Sequence, residues 1–442
     1  MIALDAEPLH PAEAARRAAR GDDPFWLTSP GPTADVAIAF DAVGADPVRV
    51  VRGGDLDELE EAWRAERRTW GGPGETPGLL PIGVGWLSYD LGRRWIRLPA
   101  RAADDHGWPD LEVRFHDAVW IRDAVRGGAR ILARDQRAAR RLAHRLAAPA
   151  PPPAPPSAST PSARARAIGA FSADVAAADY FAAVERILAY LVAGDAYQVN
   201  LARRLSAVVA PGDPVWIAEA LRARAPAPHA IWLAGNGGRD YLVGNSPERF
   251  LYADGAGAVE TRPIKGTRPR GATAADDDRL RRELPAAPKE RAEHVMIVDL
   301  ERNDLGRVCA PGSIAVEGLA RVIELPTVFH LASTVRGRLR PEVGLAALLR
   351  ATFPGGSITG APKRRAMEII EELEPVRRGP YTGATGWLGA AGDLDLAVAI
   401  RTALVRGDRL TLSVGGGIVV DSDARAELAE TEAKARAFRE LC

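Results

Sequence analysis

The residues able to do chemistry in this chain centre on Lys265, in the run Glu260-Thr-Arg-Pro-Ile-Lys-Gly-Thr-Arg-Pro269. Pro263 restricts the backbone before the lysine, Gly266 allows another group to approach closely, and Thr267 adds a hydroxyl. The run therefore reads as a rigid turn presenting a primary amine. Desolvation in such a frame disfavours the ammonium form and leaves a nucleophile. The plainer alternative is a strand-end lysine paired with Glu260 or with water.

Near the C-terminus, Glu427, Glu430 and Lys434 recur at helical spacing, which puts two carboxylates and an amine on one face beside a packing stripe of Leu428, Thr431, Ala435 and Phe438. Such a face is ordinary for an exposed helix. It also suits a hard divalent cation, because magnesium takes a few carboxylate oxygens and completes its shell with water and substrate oxygens. Glu293, where the stretch Pro288–Leu300 turns apolar, offers a further, partly buried carboxylate.

Other residues stay open to two readings. Glu248, in Ser246-Pro-Glu-Arg-Phe250, is a general acid or the partner of Arg249. His330 is a core histidine or a catalyst. Arg401 sits among Val398, Ile400 and Leu404, a costly place for an unpaired guanidinium, so a carboxylate of the protein or of a substrate is expected to meet it. The charged run Asp299–Arg307 reads as a salt-bridge corner without a catalytic role. Gly415-Gly-Gly417 reads as a strand break, either a tight bend or an anion-binding nest. An apolar strand rather than a helix follows it, which excludes a dinucleotide fingerprint. The loop Phe353–Lys363 lacks the spacing of a nucleotide-binding phosphate loop.

Positioning these groups requires a mixed scaffold. Strands are predicted at Val36–Phe40, Val48–Val51, Val113–Ile121, Tyr197–Leu201, Ala230–Leu233, Leu242–Gly244, Arg249–Tyr252, Ala384–Leu388, Leu396–Ala403 and Leu410–Val414. Helices are predicted at Leu56–Arg68, Gln136–Leu146, Tyr180–Leu191 and Asp423–Leu441. Turn-separated strands favour antiparallel meanders, hence an α+β fold. The Pro/Ala/Ser-rich segment 149–167 divides the chain into a mixed lobe, 1–148, and a second domain, 168–442.

The chain has 442 residues, enough for a large core, with 47% hydrophobic content. Basic and acidic residues balance at 58 each, which argues against a nucleic-acid partner and for a small-molecule substrate. Cys309 and Cys442 alone cannot form a disulfide framework. No run reads as a leader or a membrane span, so a cytoplasmic protein without a membrane partner is expected.

In order along the chain, Tyr-Gln-Val-Asn-Leu201, Ser-Pro-Glu-Arg-Phe250, Pro-Ile-Lys-Gly-Thr267, Ala-Glu-His-Val-Met296, Asp-Leu-Glu-Arg-Asn-Asp304, the loop containing Gly356 and Gly-Gly-Gly-Ile418 resemble the chorismate-utilising enzymes. The resemblance runs from Tyr197 to Lys434. It implies an αββα sandwich of large antiparallel sheets, with chorismate as substrate. It implies magnesium held by Glu293 and Glu430, with Glu427 acting through water. Arg401, Tyr381 and the backbone of Gly415 and Gly417 would clamp the enolpyruvyl carboxylate, and Lys434 would face the ring carboxylate. Glu248 would be the acid for the departing 4-hydroxyl, with His330 and Thr267 lining that side.

Two positions discriminate within the resemblance. Members that add water carry a lysine where this chain has Gln198, and an amide cannot act as that base. Pro-Ile-Lys-Gly-Thr is similar to the aminodeoxychorismate-forming members, whereas anthranilate-forming members typically read Pro-Ile-Ala-Gly-Thr; Gly-Gly-Ser-Ile-Thr-Gly360 sides with the former. The resemblance then implies that Lys265 attacks C2 and that ammonia from a separate glutamine amidotransferase subunit adds at C4. Trp387 stands where a tyrosine is common in the family, a departure expected to change the packing beneath the pyruvyl pocket.

Overall fold

The computed structural model describes residues 1–30, 40–71, 78–149, 168–326 and 328–442. Two large antiparallel sheets dominate it. Alternation explains the first. In Phe25–Ser29 and His229–Gly235, Phe25, Leu27, Ile231 and Leu233 enter one core, while Trp26 and Trp232 enter the core on the opposite face. A period-two pattern that is apolar on both sides needs layers on both sides. Helices Pro11–Ala18, Gln136–Ala147 and Ala424–Arg439 help cover the outer face, and Ala177–Val192 and Lys363–Leu373 cover its far end. The inner core continues through the second sheet to helices Leu56–Trp70 and Leu345–Thr352. The layers are helix, sheet, sheet, helix, as the α+β expectation required.

Both sheets take strands from both halves of the chain. Phe25–Ser29 pairs with His229–Gly235 in the first, and Pro81–Leu87 pairs with Ala384–Gly389 in the second. The segment 1–148 thus shares its ladders with the segment 168–442. The expected strand Val36–Phe40 and the connector 149–167 fall almost wholly outside the described residues.

Two expected strands are each split, and the reason is the same. Val113–Ile121 divides into Leu111–Phe115 in the second sheet and Ala118–Asp123 in the first, with the chain crossing at His116 and Asp117. Leu396–Ala403 divides into Leu394–Val398 in the second sheet and Thr402–Arg406 in the first. That second crossing ends on Arg401, whose φ of 50° lies in the left-handed region. Alternation of side chains continues through a crossing, so periodicity alone does not register it.

Candidate functional site

The site is assembled where the end of the first sheet meets the second. Gln198 opens the strand Gln198–Val208, is fully buried, and has no hydrogen-bond partner for either amide atom. Beside it, Gly415–Gly417 continue the strand Arg409–Ile418 and pair with Ala202, Leu201 and Asn200. The expected strand break is therefore absent. What the glycines supply is room: a Cβ on Gly415 would lie 2.5 Å from Leu201 O, and one on Gly417 would lie 2.6 Å from Gln198 Nε2.

The last helix, Ala424–Arg439, starts where Asp423 accepts from Ala426 N at 2.9 Å, and this cap sets its register over the glycines. Glu427 is buried and accepts from Ser422 Oγ at 2.6 Å. Burial pushes its carboxyl up, against that hydrogen bond. Glu430 is half exposed, and Lys434 at 2.6 Å overcomes the cost of burial and holds its carboxyl below the usual range. Lys434 also donates to Gly415 O at 2.8 Å. Glu293 comes from helix Pro288–Gly306.

Two of these carboxylates lie beside Gly416 and the third beside Gly417. A Cβ on Gly416 would stand 3.2 Å from Glu427 Oε2 and 3.6 Å from Glu430 Oε1, and one on Gly417 3.0 Å from Glu293 Oε1. Among the described residues no three His, Cys, Asp or Glu side chains form a group that could hold a metal ion by themselves. The donor chemistry instead fits an ion that takes one or two carboxylates and leaves its other positions to water and ligand, which is how magnesium is usually bound. Two ammonium groups now lie on these carboxylates, Lys265 on Glu293 and Lys434 on Glu430.

Lys265 is not in a turn. It lies in the strand Ile264–Pro269, which pairs with Val328–Arg338 through a one-residue bulge at Gly266, φ 61°. Its Nζ donates to Glu293 Oε1 at 2.8 Å and to Ser357 O at 3.4 Å. Burial would lower its pKa, but Glu293 outweighs that, so the ammonium is favoured where desolvation alone predicts a free amine. Glu260 is not its partner, since that carboxylate is taken by Arg249, Arg262 and Arg336.

On the neighbouring side, His330 Nδ1 lies 3.1 Å from Gly266 O and 3.0 Å from Thr267 Oγ1. A carbonyl only accepts, so Nδ1 carries the hydrogen and Nε2 keeps its lone pair, buried and without a partner. Burial and the nearby Arg401 push the ring down to about 4, so it is neutral at pH 7. Thr267 itself is exposed.

Glu248 is 5% exposed and does not pair with Arg249, which is bound to Asp395 and Glu260. Burial raises the pKa of its carboxyl, with Ser357, Lys265 and the Ile264 N–H opposing. Tyr381 is buried, which keeps its hydroxyl protonated. Arg401 is partly buried, and its guanidinium meets no protein acceptor among the described residues; burial lowers its pKa, with Glu248 opposing.

The structure thus gathers Gln198, Gly415, Gly417, Glu427, Glu430, Lys434, Glu293, Lys265 and Glu248 around one region. Trp387 stands apart, in the core against Phe40 with ring centroids 6.0 Å apart. Sequence reasoning passed over Ser357, Asn200 and Arg378. Asn200 Nδ2 and Arg378 Nη1 each donate to Ile358 O at 2.9 Å and so fix the loop that carries Ser357. The Asn in Tyr-Gln-Val-Asn-Leu201 was the available signal, since a polar residue in an inner strand needs a partner.

Residues 22–440 match the family described as chorismate binding enzyme. Anthranilate synthase component 1 of Streptomyces coelicolor is 41% identical over 379 residues, covering 82% of this chain and 73% of the relative. Aminodeoxychorismate synthase component 1 of Klebsiella aerogenes is 43% identical over 348 residues, covering 79% and 74%. The crystal structure of anthranilate synthase component I from Streptococcus pneumoniae superposes with a TM-score of 0.77 at 28% identity, covering 92% of this chain and 94% of that one.

Proposed function

Because the chain belongs to the chorismate binding enzymes, we propose that it is the chorismate-converting component of an aminodeoxychorismate synthase, replacing the 4-hydroxyl of chorismate by an amino group. Its relatives carry two reaction names at near-equal identity, so the choice rests on residues. The observation that carries it is Lys265, an amine inside the site 2.8 Å from Glu293, next to a Gln198 that cannot activate water.

Arg401 and Tyr381, with the N–H groups of Gly415 and Gly417, take the enolpyruvyl carboxylate, which explains a guanidinium left without a protein acceptor. Lys434 faces the ring carboxylate. A magnesium ion held by Glu293 and Glu430, with Glu427 through water, would neutralise the charge of that carboxylate. Lys265 must first lose a proton. Its nitrogen then bonds to C2 while both double bonds of the ring diene shift toward C4 and the C4–O bond breaks, and Glu248 passes its proton to the departing hydroxyl, which leaves as water. Neutral His330 accepts from that hydroxyl through Nε2 and so orients it, with Thr267 holding the ring. Ammonia then bonds to C4 as both double bonds shift back and the C2–N bond breaks, which returns Lys265 and retains the enolpyruvyl group.

Neither buried Cys309 nor exposed Cys442 lies in a glutaminase-like Gly-x-Cys-x-Gly context, so ammonia comes from a glutamine amidotransferase partner, with ammonium as a substitute. Among the described residues no helix is long and apolar enough to cross a membrane. The test is to incubate the chain with chorismate, magnesium and ammonium and to identify the product by mass and retention. 4-Amino-4-deoxychorismate is expected, and chelation of magnesium should abolish its formation; anthranilate would overturn the assignment.

A further inference from the structure

Tyr381 and Arg401 leave the same end of one strand pair. Ala384–Gly389 and Leu394–Val398 are antiparallel neighbours, and past the ladder the pairing continues: Thr382 N donates to Ala399 O at 2.8 Å, and Ala399 N donates to Gly383 O at 2.9 Å. Each chain then turns at a left-handed residue, Thr382 with φ 58° on one side and Arg401 with φ 50° on the other. Tyr381 comes immediately before the first turn. Asn245 N donates to Arg401 O at 3.0 Å and anchors the second.

Threonine is a costly residue for such a turn. Of the six described non-glycine residues with positive φ, Thr382 alone is β-branched, and glycine would adopt that backbone freely. What the threonine adds is a buried hydroxyl. Its Oγ1 donates to Tyr381 O at 2.6 Å and accepts from Arg378 Nη1 at 3.2 Å. Arg378 is fixed in turn by Glu374 and by the carbonyls of Ile358 and Asn200. The rest of the segment is held as well: Gly379 N donates to Asp90 Oδ2 at 2.9 Å, Tyr89 N donates to Gly379 O at 2.7 Å, and a Cβ on Gly383 would lie 1.9 Å from Leu87 O. A strained conformation persists only where its surroundings over-determine it.

Resting on the reading that Tyr381 and Arg401 take the enolpyruvyl carboxylate, we propose that Thr382 is a positioning residue that holds Tyr381 in place relative to Arg401. Its hydroxyl ties the peptide after the tyrosine to the buried Arg378, while its amide ties the same residue to the chain that leads into Arg401. One residue thus gauges both halves of the clamp. The spacing matters because a carboxylate gripped by two groups gains from both only when their separation already matches it. The enolpyruvyl carboxylate is retained and keeps its charge through the reaction, so its binding is equal in ground and transition states. Loosening the clamp therefore shows in KM rather than in kcat.

The experiment measures kcat and KM for chorismate, with magnesium and ammonium saturating, in the full chain carrying Thr382→Gly, Thr382→Ser, Arg401→Gln, or Thr382→Gly together with Arg401→Gln. Glycine accepts the left-handed turn, so Thr382→Gly removes the hydroxyl without new strain; KM is expected to rise about tenfold with kcat within about threefold. Thr382→Ser keeps the hydroxyl and should return KM to within about twofold of the parent. Because Thr382 acts through the clamp, adding Thr382→Gly to Arg401→Gln should raise KM further by less than about twofold. An unchanged KM in Thr382→Gly overturns the proposal, as does a serine variant no better than the glycine variant, or a full additive rise in the pair. An unchanged KM in Arg401→Gln would remove the clamp reading and this proposal with it. A raised KM there beside a parental KM in Thr382→Gly removes only the role of Thr382.

Discussion

Arg249 and Arg401 both lie near the plane where the chain passes between the sheets, yet one is saturated and the other is not. Arg249, 2% exposed, reaches Asp395 through Nε at 2.9 Å and Nη2 at 3.0 Å and Glu260 through Nη1 at 2.6 Å. Arg378 is similar, with Glu374 at 2.8 and 2.6 Å and the carbonyls of Ile358 and Asn200. Arg401 meets no acceptor among the described residues, with Glu248 near it as a Coulombic partner. A guanidinium taken from water must be repaid by acceptors. Where the protein supplies them the arginine is scaffold; at Arg401 the proposed reading has the substrate carboxylate supply them. A lesser contrast separates Asn245, whose amide nitrogen donates to Ala225 O while its Oδ1 has no partner, from Gln198, neither of whose amide atoms has a partner among the described residues.

Cutting a member of the site should abolish chemistry and spare the fold. For Lys265→Ala, product formation is expected to fall by about a thousandfold or more, with residual amination moving to C2. An unchanged rate and product would break the contrast outright. The opposite pattern is expected of Arg249→Met: buried Asp395 loses its arginine and Glu260 loses one of three, at a cost of about 3–5 kcal/mol in a denaturant titration, with KM for chorismate little altered. Arg401→Gln sharpens the comparison, because KM should rise about thirty- to a hundred-fold while the melting temperature holds or rises. A marked loss of stability there would reveal a protein partner after all.

The smallest effect concerns Glu301, whose carboxyl burial pushes up to about 7. Its folded pKa exceeds the unfolded value, so between about pH 4.5 and 7 the native state holds the proton and stability falls as pH rises. Glu301→Gln keeps an acceptor for Gly356 N without this dependence. Its melting temperature should match the parent at pH 5 and exceed it at pH 8, by the equivalent of about 2–3 kcal/mol. Equal melting at both values would count against the shift.

Much of this was legible in the chain. Alternation located Arg249–Ala253 and Ala384–Gly389 almost to the residue, because both pack on two faces and bury what points inward. The chemical residues were legible as types: Glu427, Glu430 and Lys434 share a face because a helix repeats every 3.6 residues. What stayed hidden were contacts between segments distant in sequence. Nothing near Lys265 announces Glu293 as its partner, and so its charge was misjudged. Nothing in Gly355-Gly-Ser357 says that the carbonyl of the serine meets Lys265. Gly415–Gly417 were misread because glycine marks bends more often than it marks a strand stripped to admit neighbours.

The sharing of both sheets bears on how the protein is made. Leu27 pairs with Ile231 about 200 residues later, and Trp86 with Thr385 about 300 residues later. During synthesis, one edge of Phe25–Ser29 must therefore wait unpaired until about half the chain has emerged, and one edge of Pro81–Leu87 until most of it has. Such edges are templates for wrong pairing. The first 148 residues cannot complete their sheets alone, and the final strands close the ladders and bring the glycines and the last helix into place together. The folded ladder and the working site thus become available at the same late moment in the life of each molecule.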